Sequence, residues 1–411
     1  MYNRFLHQPL LDALGDSPVI MIVGARQTGK TTLAKIVAGD EHPAQYVSLD
    51  DIAFLSAAVS DPTGFIAGLR GPVVIDEVQR APSLFPAIKA AVDHERTPGR
   101  FLLTGSANVL LLPNLSESLA GRMEILTLWP LAQAEVEGSS GSWVDTLFSD
   151  VLDTVPLRIS REDLTARIMA GGYPEPLSRQ LEARRKAWFT SYLTTILQRD
   201  VRDLANVEGL TALPRLLALL ATRAGGLLNT SDISRTTGIP NTTLHRYMSL
   251  LQMTYLAYLL PPWSSNFGLR LVKSPKVYLV DTGLAAHLSG ITANRLTTQP
   301  ELLGPLLETF VVMETVKLAQ RGVTNPRIYH YRTNAGTEVD ILLEAPDGRI
   351  VGVEVKASST VRSSDFRGLR ALAEATGDSF HRGIILYTGD EVVPFGERLA
   401  AVPVQGLWSG T

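Results

Sequence analysis

Cysteine is missing from all 411 residues, which excludes disulfides and thiolate metal sites. Long apolar runs are missing as well. LLQMTYLAYLLPPW (250–263) is too short to span a bilayer, and LPRLLALLATRAGGLL (213–228) is broken by Arg215 and Arg223. The opening MYNRFLHQPL lacks the apolar core of a signal peptide, so a cytoplasmic protein with no membrane partner is expected. A charge imbalance is missing too: the net is −3, which gives no overall pull toward nucleic acid. No internal repeat and no low-complexity tract interrupts the chain.

What is present fits a folded protein, with 45% hydrophobic and 19% charged residues. The length exceeds what one ordinary core supports, so two or three domains are expected. Charge is spread unevenly. Residues 1–160 hold 11 Lys/Arg against 18 Asp/Glu, whereas 161–250 hold 12 against 8 and the remainder 15 against 15. The middle third is the basic part, by a margin that a solvated helical surface also explains.

PVIMIVG (18–24), QYVSLDD (45–51), PVVIDE (72–77) and RFLLTGSA (100–107) are compact apolar runs separated by helical spacing. Strands that are apolar throughout predict a parallel sheet covered on both faces, an α/β fold of the doubly wound type. GSSGSW (138–143) reads as a surface loop, and LEARRKAWFTSYLTTILQRDVRDL (181–204) as a long amphipathic helix. Beyond about residue 296, the pattern predicts a helix over 302–320, strands YHYRT, EVDILLE and RIVGVEVKA, a helix near 364–376 and a strand RGIILYTG.

GARQTGKT (24–31) fits G-x-x-x-x-G-K-[ST] and lies where the chemistry needs it, after an apolar strand and before a helix. Glycine lets backbone N–H groups approach phosphate oxygens, and the helix N-terminus adds its positive end. Gly24, Ala25, Arg26, Gln27, Thr28, Gly29, Lys30, Thr31 and Thr32 form the expected ATP cradle. Lys30 would reach the β- and γ-phosphates, and Thr31 would place its hydroxyl on Mg²⁺. VVIDE (73–77) supplies the second half: Asp76 for the magnesium and Glu77 to polarise the attacking water. Two adjacent acids at the end of a buried strand are costly unless something positive lies there. Ser106 or Asn108, at the end of FLLTGSAN, would contact the γ-phosphate or the water, although a plain turn explains them almost as well.

GARQTGKTTL, VVIDEVQR, LLTGSAN and SLAGRMEILTLWPL, taken in this order, resemble the bacterial and archaeal AAA+ ATPases whose C-terminal part is the domain DUF4143. GGYPEP (171–176), ILQRDV (196–201), KSPKVYLVDTGL (273–284) and YRTNAGTEVDILL (331–343) extend the resemblance over nearly the whole chain. It implies an ATPase that assembles as a homo-oligomer, with a hexameric ring suspected. Arg122 is the candidate finger that neutralises charge on a nucleotide held by a neighbouring subunit, and a surface salt bridge is the alternative. The expected layout is an AAA+ P-loop domain at 1–140, a helical lid and winged helix-turn-helix region at 141–290, and a DUF4143 domain at 291–411.

ISRTTGIPNTTLHRYMSLL looks like a winged helix-turn-helix in which Asn241 caps the second helix. Asn241, Thr242, Thr243, His245 and Arg246 would then face DNA. A protein-binding module or an ATPase lid is the competing reading.

In EVDILLEAPDGRIVGVEVK (338–356), a Pro-Asp-Gly loop centred on Asp347 sets Asp340 opposite Glu354. Lys356 shares the face of Glu354, two residues along the strand. Opposed carboxylates repel unless a cation bridges them, and Mg²⁺ or Mn²⁺ would do so. The pattern resembles the PD-(D/E)xK nuclease core, with Glu308 as the helix-borne acid, Glu314 as its alternative and Arg332 as a phosphate contact. Two functions follow: an ATP-driven machine that acts on DNA and cuts it, or a nucleotide-dependent switch or scaffold whose last domain binds without cleaving.

Overall fold

The computed structural model describes residues 2–106, 119–152, 158–200, 212–266, 268, 270 and 273–409, with backbone only at 199 and 200. Two compact units emerge: Asn3–Pro130 with Ser249–Leu256, and Leu131–Met248 with Ala257–Thr411. Asn108, Ser118 and all of 201–211 fall outside the described residues. Among the described residues, no helix is long and apolar enough to cross a membrane.

In the first unit, β1 (Val19–Val23), β2 (Gln45–Ser48), β3 (Val73–Asp76), β4 (Phe101–Gly105) and β5 (Met123–Thr127) form one sheet. Its order is β2-β3-β4-β1-β5, and every pairing is parallel. The expected parallel sheet is therefore present. VIMIV is buried at all five positions because helices cover both of its faces. Helix α1 (His7–Asp16) turns Leu10, Ala13 and Leu14 inward. With Leu33, Ala34 and Val37 of α2 (Lys30–Gly39), they pack on Ile20, Ile22, Val74 and Leu102. Each such aliphatic side chain contributes about 1.5–3 kcal/mol of burial. β1 and β3 lie on either side of β4, so the loops at their C-terminal ends meet at one edge of the sheet.

The second unit begins with short helices. Gln133–Glu137 and Trp143–Phe148 come first, then the longer Arg161–Ala170 and Glu182–Thr195, and the last runs into one π turn at Ile196–Asp200. Helix α3 (Thr230–Thr237) ends on Gly238 at φ +74°, and α4 (Asn241–Met253) follows. Pro240 supplies the carbonyl that accepts from Leu244 N, so Asn241 is the first helical residue and not the cap. β6 (Ala257–Leu260) and β7 (Lys276–Leu279) form a two-stranded antiparallel ribbon.

The remainder is a six-stranded sheet around one helix. α5 (Leu303–Ala319) is buried at 14 of its 17 positions, and a helix apolar on all sides belongs at the centre of a fold. The strands are β8 (Arg327–Arg332), β9 (Glu338–Glu344), β10 (Ile350–Lys356), β11 (Phe380–Tyr387), β12 (Val393–Pro394) and β13 (Leu399–Pro403). Their order is β12-β13-β11-β10-β9-β8. β9 and β10 pair antiparallel from Ile350↔Glu344 to Val353↔Ile341, and one further step opposes Asp340 to Glu354, the register the turn predicts. Helix α6 (Arg367–Thr376) closes on this sheet through two glycines. A Cβ on Gly352 would lie 2.7 Å from Leu369 and 2.8 Å from Leu372, and one on Gly383 would crowd Leu369.

Candidate functional site

The nucleotide cradle is built where β1 gives way to α2. Gly24 has φ +147°, and a Cβ there would fall 2.2 Å from the Leu128 carbonyl oxygen, so only glycine fits. Gln27 and Gly29 also take positive φ, at 62° and 97°. The Thr28 hydroxyl donates to Ala25 O at 3.0 Å and closes the loop. Lys30 is buried, and its ammonium donates to Gly24 O at 2.9 Å and Ala25 O at 2.7 Å. Ala25 is buried, Arg26 half-buried, and Gln27 and Thr32 exposed.

Asp76 is the hub beside it. Its carboxylate accepts from Thr31 Oγ1 at 3.0 and 3.1 Å, from the Tyr46 hydroxyl at 2.7 Å and from Thr104 Oγ1. Thr31 and Asp76, both expected at the magnesium, thus touch each other directly. Burial first, and the Asp76 carboxylate second, push the Tyr46 phenol well above its usual range, so Tyr46 keeps its proton as a donor. A hydroxyl and a carboxylate joined beneath a lysine-lined glycine loop match what a magnesium–triphosphate requires: oxygen ligands for the ion, donors for the phosphates.

Glu77 follows in left-handed backbone, φ 59° and ψ 43°, a strained choice for a side chain of this size. Gln79 explains the arrangement in part. Its Nε2 donates to Glu77 Oε2 and, at 3.0 Å, to Ser106 Oγ. Its Oε1 is buried with no hydrogen-bond partner among the described residues. Glu77 and Ser106 are thereby brought to one side chain. Arg122 ion-pairs with Asp93, whose carboxyl it holds below the usual range, and also donates to Ala120 O at 3.1 Å.

Arg4, Tyr46, Gln79 and Thr104 were not among the expected residues. Arg4 reaches Thr28 O at 2.5 Å and Trp129 O at 2.7 Å, tying the cradle to the segment after β5. Only Gln79, inside VIDEVQR, carried a signal in its spacing from Glu77.

In the C-terminal sheet Glu308 (from α5) and Asp340 (from β9) are bridged, and the bridge is a lysine. Lys276 Nζ lies 2.9 Å from Glu308 Oε1 and 2.9 Å from Asp340 Oδ1. Its side chain is 2% exposed. Burial alone would lower its pKa, but the Asp340 and Glu308 carboxylates outweigh burial and hold it above the usual range. The Tyr278 hydroxyl donates to Glu308 at 2.7 Å, Val355 N to Asp340 at 3.0 Å and Lys356 Nζ to Glu354 at 2.9 Å. Burial, then the nearby Asp340, push the Glu308 and Glu354 carboxyls up.

The possible second metal site finds no support. Among the described residues, no group of three or more His, Asp or Glu side chains is placed to hold a metal ion. An ammonium stands between two of the acids instead. A divalent ion about 4 Å from it would meet repulsion on the order of 8 kcal/mol at an effective dielectric of 20. Glu314 serves elsewhere, accepting from Gln133 N at 2.7 Å and Lys317 Nζ at 2.9 Å. Arg332 pairs with Glu338 at 2.8 Å.

On α4, Asn241, Thr242, His245 and Arg246 are exposed and Thr243 half-buried, whereas Leu244, Tyr247, Met248 and Leu251 are buried.

A P-loop on a five-stranded parallel sheet, with its acid-tipped neighbour strand, defines the AAA+ ATPase fold. Residues 16–137 match the protein-family model described as AAA domain, and 303–407 match the domain of unknown function DUF4143. Residues 161–295 match a further domain of unknown function, DUF8612. Uncharacterized proteins of Mycobacterium tuberculosis and Mycobacterium bovis are each 32% identical over 396 residues, 96% of this chain and 82% of theirs. The chain belongs to their family, AAA-domain proteins carrying DUF4143. Among solved structures, the Thermotoga maritima RuvB Holliday junction branch migration motor is 18% identical with a TM-score of 0.30, over 63% of this chain and 90% of that one.

Proposed function

We propose that the chain binds Mg²⁺-ATP in the cradle, hydrolyses it, and couples turnover to DNA through α3, α4 and the β6–β7 ribbon. The observation that carries the nucleotide half is the Thr31–Asp76 pair lying beside the Lys30 loop. When ATP is bound, the loop amides and Lys30 hold the phosphates, and Thr31 and Asp76 hold the ion that neutralises them. Glu77 then takes the proton of the attacking water. Arg122, released from Asp93, would serve the site of a neighbouring subunit in a homo-oligomer. The DNA half rests on the polar, exposed stripe of α4, which suits a groove or a phosphate backbone.

Lys30→Ala should lower phosphate release by about 10²–10³-fold. Unchanged turnover would refute the nucleotide assignment. DNA should stimulate the wild type, with the stimulation lost at high salt and in Arg246→Glu. A second reading, a nucleotide-dependent switch whose last domain binds without cutting, is favoured by the lysine between Glu308 and Asp340.

A further inference from the structure

We propose that Lys276 is the resident cation of the C-terminal acid cluster. It takes the place of a divalent ion and latches the β6–β7 ribbon onto α5 and β9. The inference concerns this cluster alone and holds whether or not the P-loop turns over nucleotide.

Protein donors reach four of the six carboxylate oxygens of Glu308, Asp340 and Glu354. Glu308 Oε1 receives both Lys276 and Tyr278, Asp340 Oδ1 receives Lys276, Asp340 Oδ2 receives Val355 N, and Glu354 Oε1 receives Lys356. Glu354 Oε2 alone among these is buried without a partner. A divalent ion needs several such oxygens at once, and four of the six already accept from protein donors. A Cβ added to Gly225, at φ +82°, would lie 2.8 Å from Glu308 Oε2, so the Gly225 backbone is packed against that carboxylate. Gly225 N donates to Val277 O at 2.9 Å and Gly226 O accepts from Val277 N at 3.0 Å, which fixes β7 and the lysine it carries. Two consecutive ribbon residues of alternate facing would not both reach the cluster. Lys276 and Tyr278 are two apart, share one face, and both do.

The test uses the full-length chain without nucleotide and Mn²⁺ as the probe, followed by electron paramagnetic resonance. The wild-type isotherm should superimpose on that of Asp340→Asn, because the cluster contributes no site. Lys276→Met should bind Mn²⁺ about tenfold or more tightly than the wild type. That gain should vanish in Lys276→Met/Asp340→Asn. If Lys276→Met does not fold in chelator, Mn²⁺ should restore its cooperative melt, since the ion then supplies the missing charge. The proposal is overturned if wild-type Mn²⁺ binding drops in Asp340→Asn, or if the wild type nicks plasmid in Mn²⁺ and Asp340→Asn does not. It is equally overturned if a folded Lys276→Met shows no gain, or an unfolded one no rescue.

Discussion

Gln79 shows how much one uncharged side chain can organise. It holds the carboxylate of Glu77, the proposed base, and the Ser106 hydroxyl together, while its own carbonyl is buried without a partner among the described residues. An unmet buried acceptor is worth about 1–3 kcal/mol, and an incoming water would satisfy it. Gln79→Leu should lower kcat by about tenfold or more and leave the KM for ATP nearly unchanged, because the loop and Lys30 are untouched. Steady-state phosphate release measures both. His330 offers a second test. Nε2 donates to Ser274 O at 3.2 Å, and Nδ1 is buried without a partner among the described residues. Burial, then the Lys276 charge, push its pKa from 6.5 down to about 4. Unfolding therefore takes up a proton in that window, and stability should fall as pH drops from 6.5 toward 4, by about 3 kcal/mol at most. Thermal melts across this range should show a flatter acid limb for His330→Leu.

At the level of elements, the glycines decide how closely parts approach. Gly352→Val would drive a branched side chain into Leu369 and Leu372, separating α6 from the sheet at a cost of about 1–3 kcal/mol. Urea melts should register the loss. The same scale shows what was readable from the sequence. β1, β3 and β4 announce themselves because a strand buried on both faces must be apolar throughout. The hairpin register follows from the Pro-Asp-Gly turn, since a loop of fixed length leaves one pairing. β12 and β13 were not foreseen: Val393–Pro394 and LAAVP are short, proline-bearing and without alternation. Lys276 was equally hidden. It meets Asp340 from 64 residues away, and no periodicity records a contact made only on folding. Arg4 and Tyr46 escaped notice for the same reason, while the cradle was legible because phosphate chemistry prescribes its residues in sequence order.

For the whole molecule, the proposed shared site makes a claim on assembly. A finger in trans requires that Glu77→Gln and Arg122→Ala subunits, each defective alone, recover part of the wild-type ATP turnover when mixed. No recovery in mixed particles of verified composition would place Arg122 outside catalysis and leave its Asp93 partner as its role. Particle size with and without ATP, measured by light scattering on the same preparations, gives the companion readout.

α5 has a mechanical consequence. One helix carries Glu308 to the lysine latch and, two turns on, Glu314 to the amide of Gln133 and the ammonium of Lys317. Sliding it by a single residue would part both carboxylates from their partners and strand Glu314 in a dry interior. The second unit should thus respond to any thrust as a solid strut and transmit displacement along its length without absorbing it.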